Sequence, residues 1–505
     1  MSAPLDTLTE KLETIAKKIV RYSGFDGQFI DGHWRPGHRG RTSKDTDPYT
    51  GETVAEIAMA DLSDVEEAYQ SAARAQPAWA SVLPAERGEV LHRCADLMER
   101  RRDEILDWLI HESGSTRIKA GVEWQMLHAI TTEAASFPHR VAGRVLPIDE
   151  PGKESRVYRQ PLGVIGVISP WNFPIYLAQR SVGPAIALGN TVVLKPSQDT
   201  PVTGGLLLAK IFEEAGVPSG VLNVVIGASG EIGDAFLKHP IPRLISFTGS
   251  TAVGRHIADL AVTSPMIKRL ALELGGNTPF VVLDDADLDK AVPAAIFSRF
   301  LHQGQICMST NRIVVDSTVY DEFVDRFTAH VKTLQVGNPQ NPETVIGPII
   351  NSNQLANMLK HVKDTRTAGA RQLLGGDPNG LVLPPHVFAD VTNAMPVAKN
   401  ETFGPIAPII RVRGEREALQ LANDTEYGLS SAVFTRDERR GLRFALGLQA
   451  GMTHINDTSV DDTPTGPFGG EKNSGIGRFG GDFIIDEFTT PHWITVQHSP
   501  RQYPF

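Results

Sequence analysis

Cysteine is nearly absent: Cys94 and Cys307 are the only two among 505 residues. Two distant thiols exclude a disulfide framework, and neither has a Cys or His neighbour at zinc-ligand spacing. No metal is expected, and a reducing, cytoplasmic setting follows. Long apolar runs are also missing. Nowhere do apolar residues continue far enough to span a bilayer, and the N-terminal segment, MSAPLDTLTEKLETIAKKIV, lacks the unbroken apolar core of a signal peptide. A positive excess is lacking too. With 49 Lys and Arg against 59 Asp and Glu, the net charge is −10, which argues against a nucleic-acid partner. What is left is the composition of a soluble globular protein, 41% hydrophobic and 21% charged.

The length exceeds what one core supports, so two or three domains are expected. Gln28–Trp34 and 48–52 read as short strands. Residues 84–111 read as one long amphipathic helix, with Cys94 on its buried stripe beside Val90 and Met98. From 162 onward short apolar strands alternate with helices: 164–169, a helix near 175–187, 191–195, a helix over 201–215, 221–226 and 244–248. After Gly275 the alternation resumes and continues to about 455. This pattern gives an α/β fold of two doubly wound parallel-sheet blocks with a cleft between them. The tail carries a strand signal at 494–497 and no core of its own, as a strand held by another sheet or subunit would.

Several residues carry possible chemistry. Cys307 follows His302-Gln303-Gly304-Gln305-Ile306, where Gly304 permits a tight backbone that exposes the thiol; a lone structural cysteine is the bland alternative. Glu273, flanked by Leu272 and Leu274 at a strand end, suits a general base if buried and a surface ion pair if not. Asn172, between Pro170 and Pro174, is either a rigid oxyanion donor or part of a structural turn. Gly475-Ile476-Gly477-Arg478-Phe479-Gly480 matches a dinucleotide fingerprint, yet lacks the preceding apolar strand and the βαβ context, so it is set aside. Phe247-Thr248-Gly249-Ser250, closing a strand and opening a helix, is the better phosphate site, and Lys195 at another strand end could donate to ribose hydroxyls.

Together Pro170-Trp171-Asn172, Lys195-Pro196-Ser197, Phe247-Thr248-Gly249-Ser250, Leu272-Glu273-Leu274-Gly275-Gly276, Gly304-Gln305-Ile306-Cys307, Glu401-Thr402-Phe403-Gly404-Pro405 and Pro467-Phe468-Gly469-Gly470 resemble the aldehyde dehydrogenase superfamily in order and spacing, over residues 28–497. The resemblance implies a Rossmann-like NAD(P)-binding domain (1–139 and 162–275), a catalytic domain (276–483) and a small β oligomerisation element (140–161 and 484–505), in a homodimer or homotetramer. It implies an aldehyde substrate attacked by Cys307, an oxyanion held by the Asn172 amide and the Cys307 N–H, a thioester, and hydrolysis by water activated by Glu273. For the cofactor, NAD or NADP, it implies contacts from Ser169, Trp171, Lys195, Ser197, Gln198, Gly249, Ser250, Leu274 and Gly275, with Glu401 on the nicotinamide ribose and Phe403 beside the ring.

Three departures from many relatives matter. Gln198 stands where a Glu often repels a 2′-phosphate, so discrimination against NADP is expected to weaken. Ser181 and Phe479 replace a Lys and a Glu of a proposed proton path, leaving Glu273 as the only carboxylate base expected in reach. Ile306 and Met308 leave the nucleophile without a neighbouring thiol. Tyr176 and Arg180, four apart on one helix face, are candidate substrate residues: Tyr176 for stacking on a ring, Arg180 for a ring substituent or else an internal ion pair. Gly451–Asp457, Gly469–Gly475, Gly477–Gly481 and Arg501–Phe505 are similar to the bacterial benzaldehyde and vanillin dehydrogenase branch, which implies an aromatic aldehyde. The alternatives are a semialdehyde dehydrogenase, or a cysteine esterase activity of the same site.

Overall fold

Five parallel strands form the centre of an eight-stranded sheet: β1 Val164–Ile168, β2 Thr191–Lys195, β3 Leu222–Val224, β4 Leu244–Thr248 and β5 Arg269–Glu273. The computed structural model describes residues 20–505, so nearly all of the N-terminal segment read for a signal lies outside the described residues. The five strands are apolar on both faces and almost wholly buried, because helices cover both sides. Their spatial order is β3-β2-β1-β4-β5. The order reverses between β1 and β4, which places a crevice beyond the carboxyl ends of those two strands. The segments entering that crevice are 169–172 and 248–250.

A second, seven-stranded sheet contains β6 Thr278–Val282, β7 Thr310–Asp316, β8 Ile406–Val412 and β9 Ala432–Phe434, parallel to one another in the order β8-β7-β6-β9. The α/β reading therefore holds, with antiparallel strands confined to the edges. Gln28–Ile30 and His33–Arg35 extend the first sheet beyond β3, and Arg371–Leu374 closes one edge of the second. A third, three-stranded antiparallel sheet joins Arg144–Val145, Lys153–Pro161 and Thr489–Gln497.

Four readings of the sequence need correction. Residues 48–52 are a turn between strands Thr42–Thr46 and Thr53–Ala58, because the Asp47 carboxylate accepts the N–H groups of Tyr49 (2.7 Å) and Thr50 (3.2 Å). The helix over 84–111 is two helices, Pro84–Arg100 and Arg102–Ser113. They meet at Arg101, whose buried side chain pairs with Glu104 (2.9 Å) and Glu214 (2.8 Å). Gly475–Ile476, which the resemblance put in the catalytic domain of 276–483, pairs antiparallel with β5 and so belongs to the first sheet. The tail strand begins at Thr489 and pairs over nine residues with Lys153–Pro161, well beyond the span 494–497. Cys94 is fully buried in the core, as its apolar stripe required.

Candidate active site

The nucleophile candidate sits at a backbone anomaly. Helix Leu288–Phe300 stops, and His302, Gln303 and Gly304 follow with φ of 51, 56 and 74°. Non-glycine residues resist that region, so two in succession hold only where the surroundings fix them. Arg299, fully buried, supplies part of that fixing. Its guanidinium donates to the Thr310 carbonyl (2.8 Å), the Thr402 hydroxyl (2.9 Å) and the Gly404 carbonyl, tying this loop to the 401–404 segment. A Cβ on Gly304 would lie 2.5 Å from the Gly404 carbonyl oxygen. The loop delivers Cys307 to the amino end of β7, opposite the carboxyl ends of β1, β4 and β5.

From β1, Asn172 projects out of the turn Ser169–Phe173 just before helix α1, Pro174–Ala187. Pro174 opens the helix, and the buried Glu123 carboxylate accepts the Tyr176 N–H (3.3 Å) in its first turn. The Asn172 amide donates one N–H to the Gln305 carbonyl (2.9 Å), which orients it and leaves its second N–H free. Asn172 and Cys307 line two cavities in common. The thiol therefore stands where these cavities meet.

The first cavity, of about 300 Å³, is walled by Trp171, Gly249, Ser250, Glu273, Leu274, Gly275, Glu401 and Phe403. Gly249 and Ser250 precede helix α2, Thr251–Thr263, whose first-turn N–H groups lack intrahelical partners; the Ser250 hydroxyl accepts one of them, from Val253. A Glu401 carboxylate oxygen accepts the Gly276 N–H (3.0 Å), and burial raises this carboxyl to about 7. The Trp171 and Phe403 rings meet edge to face, with centroids 5.4 Å apart. The donor set fits a dinucleotide: a helix amino end for phosphate, a carboxylate for ribose hydroxyls and aromatic edges for a nicotinamide.

Four cofactor candidates lie apart from this cavity. Ser169 donates to the Gly204 carbonyl (3.3 Å), and Ser197 makes only a long contact with Asp199 (3.5 Å). Lys195 is buried at the end of β2, donates to Ser229 (3.0 Å), and is lowered to about 8 by desolvation. Gln198 is exposed beside a small cleft that Lys44 also lines.

The second cavity, of about 290 Å³, is mainly apolar and aromatic, with Phe173, Leu177, Phe297, Leu301, Val460 and Phe468 in its wall. Tyr176 and Arg180 line it, as their shared helix face required. Arg180 is 1% exposed and lies 3.5 Å from Glu273 and 3.9 Å from Asp462, so the internal ion pair is realised. The Tyr176 hydroxyl donates to Asp462. Phe479 packs its ring 4.6 Å from the Arg180 guanidinium, and the Ser181 hydroxyl meets that of Ser246 (2.9 Å).

Glu273 is fully buried, and among the described residues neither carboxylate oxygen has a hydrogen-bond partner. Desolvation raises it to about 7, although Arg180 and the Cys307 thiol pull it down. Burial and the adjacent Glu273 charge hold the Cys307 thiol well above its ordinary value, with Arg180 opposing them. Glu273 is not the only carboxylate nearby, contrary to the expectation from Ser181 and Phe479: Asp462 shares Arg180 with it and is raised by burial to about 6. Sequence reasoning missed Asp462, because its tie to Arg180 joins positions 282 residues apart. It also missed Gln354, Asn357, Lys360 and His361 of helix α3, Ser352–Thr367, which line the first cavity. Their helical spacing marks a face without telling what that face meets.

Comparison with known proteins identifies the family. The model of the aldehyde dehydrogenase family matches residues 34–494. The chain is 50% identical over 480 residues to a vanillin dehydrogenase of Corynebacterium glutamicum, covering 95% of this chain and 99% of that one. It is 46% identical over 487 residues to the benzaldehyde dehydrogenase YfmT of Bacillus subtilis, covering 96% and 100%. Among solved structures, a salicylaldehyde dehydrogenase from Pseudomonas putida G7 complexed with salicylaldehyde superposes with a TM-score of 0.92 at 40% identity, over 95% of this chain and 99% of that one. An NAD-dependent benzaldehyde dehydrogenase from Corynebacterium glutamicum gives 0.88 at 47% identity, over 96% and 99%. A thiol, an amide and a buried carboxyl group gathered at the meeting of two cavities thus have a family to go with them, and the chain belongs to the aldehyde dehydrogenase family.

Proposed function

We propose that the protein oxidises an aromatic aldehyde to its carboxylic acid with NAD or NADP, through a thioester on Cys307. The carrying observation is that Cys307 and Asn172 stand at the junction of a cavity suited to a dinucleotide and one walled by aromatic and aliphatic side chains. Cys307 Sγ attacks the aldehyde carbon, its proton passing to solvent. The free N–H of Asn172 and the Cys307 backbone N–H take up the oxyanion charge. When bound, the nicotinamide supplies the hydride acceptor that converts the adduct to a thioester. Glu273 then removes a proton from water as the water oxygen attacks the thioester carbon. The C–S bond breaks, the thiolate leaves and the acid is released. Glu401 would hold the nicotinamide ribose, Phe403 and Trp171 the ring, Gly249 and Ser250 the pyrophosphate, with Leu274 and Gly275 shaping the bed and Ser169, outside the cavity, bracing the turn before Trp171 through the Gly204 carbonyl. Lys195, Ser197 and Gln198 would face the adenosine ribose.

The aromatic substrate class draws support from the cavity wall and from the relatives, which include vanillin, benzaldehyde and salicylaldehyde dehydrogenases. A semialdehyde would need an uncommitted cation for its remote carboxylate. Arg180 lies between two carboxylates already, and Asp461 and Asp462 line the same cavity, so an anionic substrate meets repulsion. Ester hydrolysis by the same thiol and base remains a side activity. Two unpaired cysteines suit a reducing cytoplasm, and no helix of the described residues is long and apolar enough to cross a membrane. The two large sheets support a division near 275/276 into cofactor and catalytic domains. The three-stranded sheet supports an assembly element in a homodimer or homotetramer.

The test is cofactor reduction followed by absorbance with benzaldehyde, vanillin, acetaldehyde and succinic semialdehyde, for wild type and Cys307→Ser. Aromatic aldehydes should lead in kcat/KM, and the variant should lose at least about a thousandfold. Native turnover by Cys307→Ser would refute the thioester, and a lead for acetaldehyde or the semialdehyde would refute the substrate class.

A further inference from the structure

The Arg180 guanidinium is held unusually. The Phe468 and Phe479 rings lie 4.3 and 4.6 Å from it. Among the described residues its one hydrogen bond, to the Thr248 hydroxyl, is long at 3.4 Å, and Nε and Nη1 have no partner. The two carboxylates on its N–H edge, Glu273 at 3.5 Å and Asp462 at 3.9 Å, both stand farther off than the roughly 2.7–3.2 Å of a closed charge pair. A fully buried cation between two carboxylates and closed on neither can draw toward either with little rearrangement.

We infer that Asp462 is a positioning residue for the hydrolytic half-reaction: anchored by Tyr176, it competes with Glu273 for Arg180 and so sets how readily Glu273 accepts a proton from water. With Arg180 drawn to Glu273, the carboxylate is held ionised and is a poor base. As the water proton arrives on Glu273 Oε, that attraction vanishes and Arg180 passes to Asp462, so the cation keeps a partner throughout. Nothing is oxidised or reduced in this step: one O–H bond of water breaks, one forms on Glu273, and the C–S bond yields the thiolate. The charged and titratable groups facing this unit are Arg180 and Tyr176 from α1, Cys307 from its loop, Glu401 beside Glu273, and Asp461 beside Asp462. Burial raises both carboxyls, to about 7 and about 6, and Arg180 pulls each of them down.

The inference rests on the proposed roles of Cys307 and Glu273, so its test first separates the two. Wild type hydrolysing p-nitrophenyl benzoate without cofactor should release a burst of nitrophenolate and then a slower steady phase set by hydrolysis of the benzoyl thioester. No burst in wild type, or an unchanged burst in Cys307→Ser, would sink the thioester reading. With the burst established, the pH dependence of the steady phase reads Glu273. In Asp462→Asn, Arg180 belongs to Glu273 alone, and the acid limb should move down by roughly one pH unit while the plateau falls. Asp462→Glu should restore the limb. A purely structural aspartate would lower Tm and leave the limb in place, and that result overturns the inference. Should Asp462→Asn fail to fold, the reciprocal measurement uses Glu273→Gln. The buried carboxyl band of Asp462 in pH-difference infrared spectra should then titrate at lower pH than in wild type; an unmoved titration overturns the inference equally.

Discussion

At the scale of single residues, burial and charge pull Glu273 in opposite directions, and burial wins. Its carboxyl is raised from 4.5 to about 7. The base is the deprotonated form, so thioester hydrolysis should climb with pH through about 7 and level off above it. Glu273→Gln should keep the acylation burst while steady turnover drops by about a hundredfold or more. Stability carries the same sign. A carboxyl raised on folding binds an extra proton between the two values, so its ionisation destabilises the fold as pH rises from about 4.5 to about 7, by at most about 3 kcal/mol. The Tm advantage of Glu273→Gln over wild type should therefore grow between pH 5 and pH 8. An advantage that shrinks would mean that Arg180 outweighs burial. The exposed Gln198 carries another residue-scale consequence. Gln198→Glu, in the cleft that Lys44 also lines, should cut kcat/KM with NADP+ by about tenfold or more, leaving NAD+ little changed. Equal loss with both cofactors would remove Gln198 from the 2′-phosphate site.

Elements, rather than residues, decide whether the thiol is presented. Gly304 sits at φ 74°, and an added Cβ would approach the Gly404 carbonyl to 2.5 Å. Gly304→Ala should thus strain the loop and displace the 401–404 segment, costing about 1–3 kcal/mol of stability and most of kcat. A variant with native turnover would show the loop to be tolerant. The same scale shows what was legible in the sequence. Strands β1 to β4 read clearly because buried parallel strands are continuous apolar runs, and the Ser250 cap of α2 marks a helix start by residue type alone. The turn at 48–52 misled because Tyr49 and Thr50 favour strands, whereas the Asp47 carboxylate overrides them locally. The break at Arg101 was hidden because its cause, the Glu214 carboxylate, lies 113 residues away. Asp462 was hidden likewise. Cys307, Glu273 and Asn172 could be singled out because their motifs are contiguous; the placing of Arg180 between Glu273 and Asp462 is a product of folding.

For the whole molecule, the third sheet is the feature the single chain leaves incomplete. Thr489–Gln497 forms its outer edge, paired on one side only among the described residues, and Trp493 is 63% and Val145 76% exposed, with Tyr158 and Val496 also exposed. An open edge strand with apolar side chains is a template for association. Helix Gly481–Phe488 runs from this strand back to Phe479, which packs against Arg180, so the edge and the active site share one continuous segment. Light scattering after size exclusion should therefore find wild type as a dimer or larger, and Trp493→Glu combined with Val496→Glu shifted toward monomer. If the segment couples the two, the monomeric variant should also show a lower Tm and a steady hydrolysis rate that falls more than its acylation burst, because the base side of the site leans on Phe479. A double variant that stays assembled would place the interface elsewhere; one that becomes monomeric with untouched kinetics would show that assembly and catalysis are independent.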